Sequence, residues 1–571
     1  IMNRNTEMHF SQLPTVDISR SKFNMSHTHI TTGNAGDLIP VYLDQDITPG
    51  DTISMKQSEI IRMMTPITPV MDNAFLDFYW FFVPKRLVWT DFKKFMGENE
   101  TAPWTQTQDI KVPQIHITNA SKNSSNQLQN TVLKNSVLNY MGIPIQNWEY
   151  ASPEDKVIEI SALPTRAYCL IWNEFFRDEN LQNPVNISKD STTRWLSNYN
   201  AGDYLLDPDA VTITHEERGG LPPLKVCKPH DYFTSCLPGP QKGPAVRIPQ
   251  LGTAPVKAID VTVAENKTTY EDIGYATQAV VNAGPLYGEP HYPTLYADTP
   301  TLPEGTEVQL YAELSEATAA TINQLRQAFA IQKFYEREAR GGTRYIESVW
   351  SHFRVRNPDY RLQRPEYLGG FRQNINMNQV IQSTPTIEDS TGLGTTGAYS
   401  VTSHQNNDVF SHSFTEHGIL LGLCCIRTEH TYQQGINRAW FKKDRLDYYT
   451  PEFANLGEMA VLNQEIYAQG TSEDKEAFGY QEAWSEMRHK PSYTSGEVSS
   501  LVSDSLDIWT YADYYTEKPV LGDKWIKETK ANIQRTLSVQ DHDQFLFDFY
   551  FEPIYTRPLP LYSVPGLIDH H

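Results

Sequence analysis

The stretch FLDFYWFFV, Phe75 to Val83, decides how the rest of the chain is read. Aromatic side chains pack well on a pleated surface and lose rotamer freedom in a helix, so the run predicts a strand. Alternate strand side chains point to opposite faces, which puts Leu76, Phe78, Trp80 and Phe82 on one face. Pro84 ends the run, because it has no N–H to offer a ladder. Far along the chain, QFLFDFYF (Gln544 to Phe551) has the alternation of a half-buried strand. Phe545, Phe547, Phe549 and Phe551 share one face, and Leu546, Asp548 and Tyr550 the other. Strong strands near both ends hint that N- and C-terminal segments share one sheet system.

Further strand signals lie between them. Leu38 to Leu43 is followed by a turn at Pro49-Gly50-Asp51, and Ile53, Met55 and Gln57 then alternate with Ser54, Lys56 and Ser58. Ala398 to Thr402 reads as a strand. GILLGLCCI, Gly418 to Ile426, is apolar on both faces, which predicts a fully buried strand. Helices are few. Tyr168, Ile171 and Phe175 recur at helical spacing within Leu163 to Arg177, which predicts a helix packed on a core. Ser315 to Arg340 is the clearest helix, with Ser315 or Thr318 as cap, a stripe of Ile322, Leu325 and Phe329, and Gly341-Gly342 as terminator. No repeat appears at 20–50-residue spacing.

The composition fits β-structure with long loops. The 571 residues include 31 Tyr, 24 Phe and 11 Trp, with 36 Pro and 31 Gly to make turns. A hydrophobic fraction of 39% is enough for a large core. The net charge of −21 makes the chain a poor general binder of nucleic acid, which requires clustered Lys and Arg. Binding nucleic acid would call for a basic partner or one local basic face. The five cysteines, Cys169, Cys227, Cys236, Cys424 and Cys425, are odd in number and lack metal-type spacing, which argues against a disulfide framework; Cys424-Cys425, inside an apolar run, reads as buried thiols, made in a reducing cytoplasm. The N-terminus has no apolar signal core, and no apolar run approaches the roughly 18 residues of a membrane span.

Candidate chemistry is thin. Gly392-Leu393-Gly394-Thr395-Thr396-Gly397 matches the dinucleotide pattern, but a polar segment precedes it and a β-like AYSVT follows, so it reads as a glycine-rich loop. His404, His412 and His417 fit no zinc spacing and read as loop or interface residues. The carboxylate pairs Glu149/Glu154 and Asp207/Asp209 tie to no reaction. We therefore expect no catalytic, cofactor-binding or metal-binding residue.

Arg326 to Arg372 carries more weight, with ten Lys or Arg against five Asp or Glu. Arg337, Arg340, Arg344, Arg354, Arg356, Arg361 and Arg364 are interleaved with Tyr335, Tyr345, Trp350, Phe353 and Tyr360. That mix suits single-stranded nucleic acid, with cations on phosphates and rings on bases. It equally suits contacts between subunits, where the arginine fork pairs with carboxylates. By contrast, residues 238–303 hold ten prolines, and 241–316 hold four Lys or Arg against ten Asp or Glu. This acidic segment, with strand-like pieces at Ala258 to Val263 and Val308 to Tyr311, reads as an outward excursion. The polar loop 101–135 is another surface segment, and the first 30 residues read as an arm that orders against neighbours.

The block IQKFYEREARGGTRYIESVWSHFRVRNPDYRLQRPEYLGG, Ile331 to Gly370, resembles one found in the major capsid proteins of gokushoviruses, small single-stranded DNA phages of the microvirus family. Similar blocks run in order along the chain. They include Val16 to Ser21, Asn34-Ala35-Gly36, Thr65 to Asn73, Phe81 to Trp89, Asp231 to Pro238, Ser505 to Trp509, and Arg557 to His570. The resemblance implies an all-β-dominated fold, an eight-stranded antiparallel jelly roll of the viral capsid type with long loop insertions and a few helices. It implies an N-terminal arm over 1–30 and a single capsid domain over 31–571. A surface protrusion at the three-fold axis would form from an insertion, for which 244–310 is the candidate. It further implies a closed icosahedral homo-oligomer of about 60 copies around a circular single-stranded DNA genome. A small basic internal protein, a DNA pilot protein, an internal scaffolding protein and a host cell-surface receptor would be its partners, without membrane insertion. The virion would be its location, after assembly in the bacterial host cytoplasm. A jelly-roll hydrolase or binding protein acting on carbohydrate would share the acidic, aromatic composition but leaves the ordered blocks unexplained.

Overall fold

The aromatic run at Phe75 to Val83 becomes the centre of a sheet buried on both sides. The computed structural model describes residues 19–98, 110–117, 134–145, 158–195, 222–244, 322–375 and 402–562, apart from single positions, together with short strand segments between these ranges. Its principal strands are β1 (Ser21–Asn24), β2 (His27–Gly33), β3 (Ile39–Ile47), β4 (Thr52–Met63) and β5 (Ala74–Pro84). After long insertions come β6 (Glu366–Ile375), β7 (Thr402–Ser413), β8 (Gly418–Thr428), β9 (Glu458–Leu462), β10 (Ala477–Glu482) and β11 (Phe545–Arg557).

Two antiparallel sheets hold the core. In the first, β11 lies between β4 and an edge formed by β1 and β2 in succession, and β7 flanks β4 on the far side. In the second, the order is β6-β5-β8-β3. The chain ends do share a sheet, as the alternation suggested, because β11 pairs with β2 and β4. The run near residue 80 lies in the second sheet instead, where its far face needs a cover.

The two inner faces meet in one apolar layer. Leu76, Phe78, Trp80 and Phe82 from β5 pack there with Phe545, Phe547, Phe549 and Phe551 from β11. The four β11 rings run along the strand with neighbouring centroids 5.6 to 6.3 Å apart. Removing such side chains from water stabilises the fold by about 2–3 kcal/mol each. The opposite face of the second sheet, with Phe81, Val83, Leu421, Leu423 and Cys425, is covered by α1 (Leu163–Ile171), including Ala167, Tyr168 and Ile171. Helix α1 continues as a π-turn over Trp172–Phe176. This cover explains why Phe75 to Val83 and Gly418 to Ile426 lack polar alternation. A third apolar cluster, with Phe233, Tyr432, Val461, Phe478 and Trp525, forms around the β9-β10 hairpin in the segment between β8 and β11.

Part of the segment expected as an arm is strand. Residues 21–24 and 27–33 are strands on β11, because backbone pairing needs no apolar sequence and Phe23 reaches the core. Residues 1–18 lie outside the described residues. So do the pairs Glu149/Glu154 and Asp207/Asp209, and Gly392 to Thr395; a strand, Thr396–Tyr399, follows rather than the helix a dinucleotide loop needs. Residues 241–338 form a separate compact unit. Within it Val256–Ala258 pairs with Leu310–Ala312. The rest of 244–310 lies almost wholly outside the described residues.

Candidate functional site

The arginine-rich block folds as three helical pieces leading into β6. Helix α2 (Ile322–Gly341) ends where the sequence placed its stop. Gly342 adopts φ +84°, and a Cβ there would collide with the Glu347 carboxylate. The turn leads into α3 (Tyr345–Phe353), whose first turn is capped by Glu347 Oε2 accepting from the Arg344 N–H at 3.1 Å. A left-handed Arg354 closes α3, and α4 (Asp359–Leu362) follows Pro358. Ser315 and Thr318 lie outside the described residues.

The seven arginines separate into two groups. Arg344 is tied inward: Nη1 reaches Glu179 at 2.9 Å, and Nη2 donates to the Arg177 carbonyl at 2.6 Å. Burial and the Glu179 carboxylate raise the pKa of neighbouring Glu347. Arg364 lies 4.1 Å from the Phe175 ring centre, with Asp359 at 3.6 Å and Glu174 at 3.9 Å. Arg340 bonds to the buried Glu458 carboxylate. These three hold the block to the subunit core and are not free for an outside ligand.

Arg354, Arg356 and Arg361 are exposed and form no ion pair among the described residues. Arg356 sits 4.8 Å over Trp350, and Arg361 is 6.0 Å from the Tyr360 ring. Tyr345, Trp350, Phe353 and Tyr360 are themselves exposed. In the 241–338 unit, Arg337 is exposed, as are Phe329 and Phe334 on the same helix. Phe329 is therefore not core there, while Leu325 of the same stripe is half-buried.

The histidines do not converge. On β7, His404 Nδ1 lies 2.7 Å from Glu59, and His412 lies 3.7 Å from Glu366 on another strand. His417 packs edge-on to Phe92. Among the described residues no group of three or more His, Cys, Asp or Glu is placed to hold a metal ion. No helix among them is long and apolar enough to cross a membrane. None of the five cysteines is in a disulfide, and burial pushes the thiols of Cys227 and Cys425 up to about 12.

Sequence reading missed one constellation. His430 is buried, with Nδ1 3.0 Å from Asp513 and Nε2 3.0 Å from Glu528, and Lys228 Nζ is 3.3 Å from Asp513. Burial alone would push the imidazole down, but the two carboxylates outweigh it and hold its pKa at about 10. Its members are separated by 15 to more than 200 positions in the chain, so no local motif could have revealed them. It is a charge-balanced knot joining three segments, not a reaction centre.

The family described as Capsid protein (F protein) matches residues 11–567. Capsid protein VP1 of Bdellovibrio phage phiMH2K is 39% identical, covering 99% of this chain and 98% of its own length. Capsid protein VP1 of Spiroplasma virus 4 is 37% identical over 99% and 98%, and that of Chlamydia phage 1 is 33% identical over 98% and 97%. The gokushovirus likeness carried by the sequence blocks is borne out, and the hydrolase alternative is not favoured. The chain belongs to the phage capsid protein (F protein) family and is a major capsid protein, a structural subunit of the virion and not an enzyme.

Proposed function

We propose that this subunit is an eight-stranded jelly roll of which about 60 copies close into an icosahedral shell around circular single-stranded DNA. The strand order carries the reading. With β1 and β2 counted as one edge, the sheets run β2-β11-β4-β7 and β3-β8-β5-β6. Strands two to five alternate between sheets, and β6, β7, β8 and β11 return along the same path, as a hairpin rolled around a barrel does. Long insertions between β5 and β6 and between β8 and β11 supply lateral surfaces for neighbours.

The net charge of −21 supports a separate basic internal protein to balance the genome, alongside pilot and scaffolding proteins that act during assembly in the host cytoplasm. The arm reading attaches to the residues before Ser21, which would tie neighbours together. The acidic, proline-rich 244–310 serves as a protrusion at the three-fold axis that touches a host receptor. Deleting it without loss of host attachment would remove that role. Arg337, Arg354, Arg356 and Arg361 are the members of the cluster available to DNA, with exposed rings nearby for base stacking.

Electron microscopy of the expressed chain with its internal partners tests the reading. Uniform spherical particles support it; persistent monomers overturn it. Alanine at 354, 356 and 361 together should leave particles intact but reduce packaged DNA. Loss of particles would instead assign these arginines to contacts between subunits.

A further inference from the structure

The segment between β8 and β9 carries a second cationic, aromatic run, NRAWFKKDRLDYY, Asn437 to Tyr449. It has little regular structure beyond single 3-10 turns at Arg438–Phe441 and Arg445–Asp447. Its conformation is nevertheless pinned. Asn437 accepts from the Ala439 N–H at 2.9 Å, and Asp447 accepts from the Lys443 and Asp444 N–H groups at 2.8 and 2.9 Å. Two of its four cations turn inward: Arg438 lies 3.6 Å from Glu465, and Lys442 lies 3.7 Å from Glu486.

What remains outward is apolar and of mixed charge. Trp440 is 82% exposed, Leu446 70% and Tyr448 57%. An anchored strap that leaves a tryptophan so bare is the signature of a surface covered in the assembled state. Lys443, Asp444 and Arg445 are exposed and form no ion pair among the described residues. With Arg438 and Lys442 committed inward, the outward charges are two cations and the two carboxylates of Asp444 and Asp447. A neutral tip with a bare leucine does not suit a polyanion. It does suit a copy of itself, since adjacent opposite charges pair reciprocally across a two-fold axis.

We propose that the strap Asn437 to Tyr449 is a contact between two copies of this chain, related by a two-fold axis. Asp444 of each copy meets Arg445 of the other, and Trp440 and Leu446 are covered in between. This rests on the shell reading above and names one of its interfaces.

Charge exchange tests it. D444R alone and R445D alone should each raise the concentration needed for assembly about tenfold or more, because each places like charges together. The double variant D444R/R445D should return to within a few-fold of the unaltered chain. Both positions are exposed, so circular dichroism should show all three variants folded. L446C should also form a disulfide-linked dimer on oxidation of particles, the native thiols being mostly buried. The control V520C, at an exposed position, should not. Normal assembly of both single variants overturns the contact alone. If those particles also hold less DNA, the strap belongs to the nucleic acid instead. Failure of the unaltered chain to assemble overturns the shell reading, and the contact with it.

Discussion

The two sheets of the sandwich are built from the same residue types but carry different loads. The β6-β5-β8-β3 sheet is packed on both faces, against the other sheet and against α1. The sheet containing β11 is packed on one face, and Leu546, Tyr550 and Ile554 on its outer side are each about two-fifths exposed. Alternation in sequence follows from this. The singly covered sheet keeps polar residues on its free face, while the doubly covered one drops them. A polar residue that persists in the doubly covered sheet must be satisfied. Asp77, almost fully buried on β5, is paired with Arg372 at 2.6 Å and with Arg427.

The contrast yields graded predictions. Trp80→Ala should cost most, about 4 kcal/mol by chemical denaturation, because it empties the space where both sheets meet and leaves Gln57 Oε1 without the indole donor 3.2 Å away. Arg344→Ala should cost about 2 kcal/mol, since it strands Glu179 and a carbonyl in a half-buried pocket. A comparable loss of about 2 kcal/mol is expected for Gly422→Ala, whose added Cβ would lie 2.9 Å from Tyr42 Cβ and 3.2 Å from the Trp80 ring. Leu546→Ala, on the free face of β11, should change stability by about 0.5 kcal/mol or less. A loss at 546 comparable to that at 80 would break the comparison between the sheets.

The His430 knot adds a pH signature. Its folded pKa, about 10, lies above the ordinary 6.5, so the charged imidazole stabilises the fold fully below pH 6.5. That contribution is lost as pH rises through about 10. Melting temperatures of the subunit should fall across this window, and His430→Gln should be less stable near neutrality with a flatter fall. An unchanged slope in the variant would remove His430 as the cause.

Much of the fold was legible locally. The strands at 75–83, 418–426 and 544–551, the helix stop at Gly341-Gly342 and the helix at Leu163 all follow from side-chain period and backbone freedom, which neighbours in the chain dictate. The strand character of 21–33 was not legible, because its pairing with β11 is a backbone matter between positions more than 500 residues apart. The arginine block shows the same limit. Its charge and aromatic interleaving were plain, but the division into anchored Arg340, Arg344 and Arg364 and exposed Arg354, Arg356 and Arg361 depends on where Glu179, Phe175 and Glu458 arrive in space. The strap at 437–449 carries no local signal, since a short run of mixed charge is ordinary until its exposure is known.

By itself, then, the sequence determined the element types and, through ordered blocks along its length, the family. Tertiary structure alone decided which sheet each strand joins, which charges are neutralised inside the subunit, and which rings are left bare. Those outcomes are set by contacts between distant segments, where burial and pairing free energies outweigh local preference.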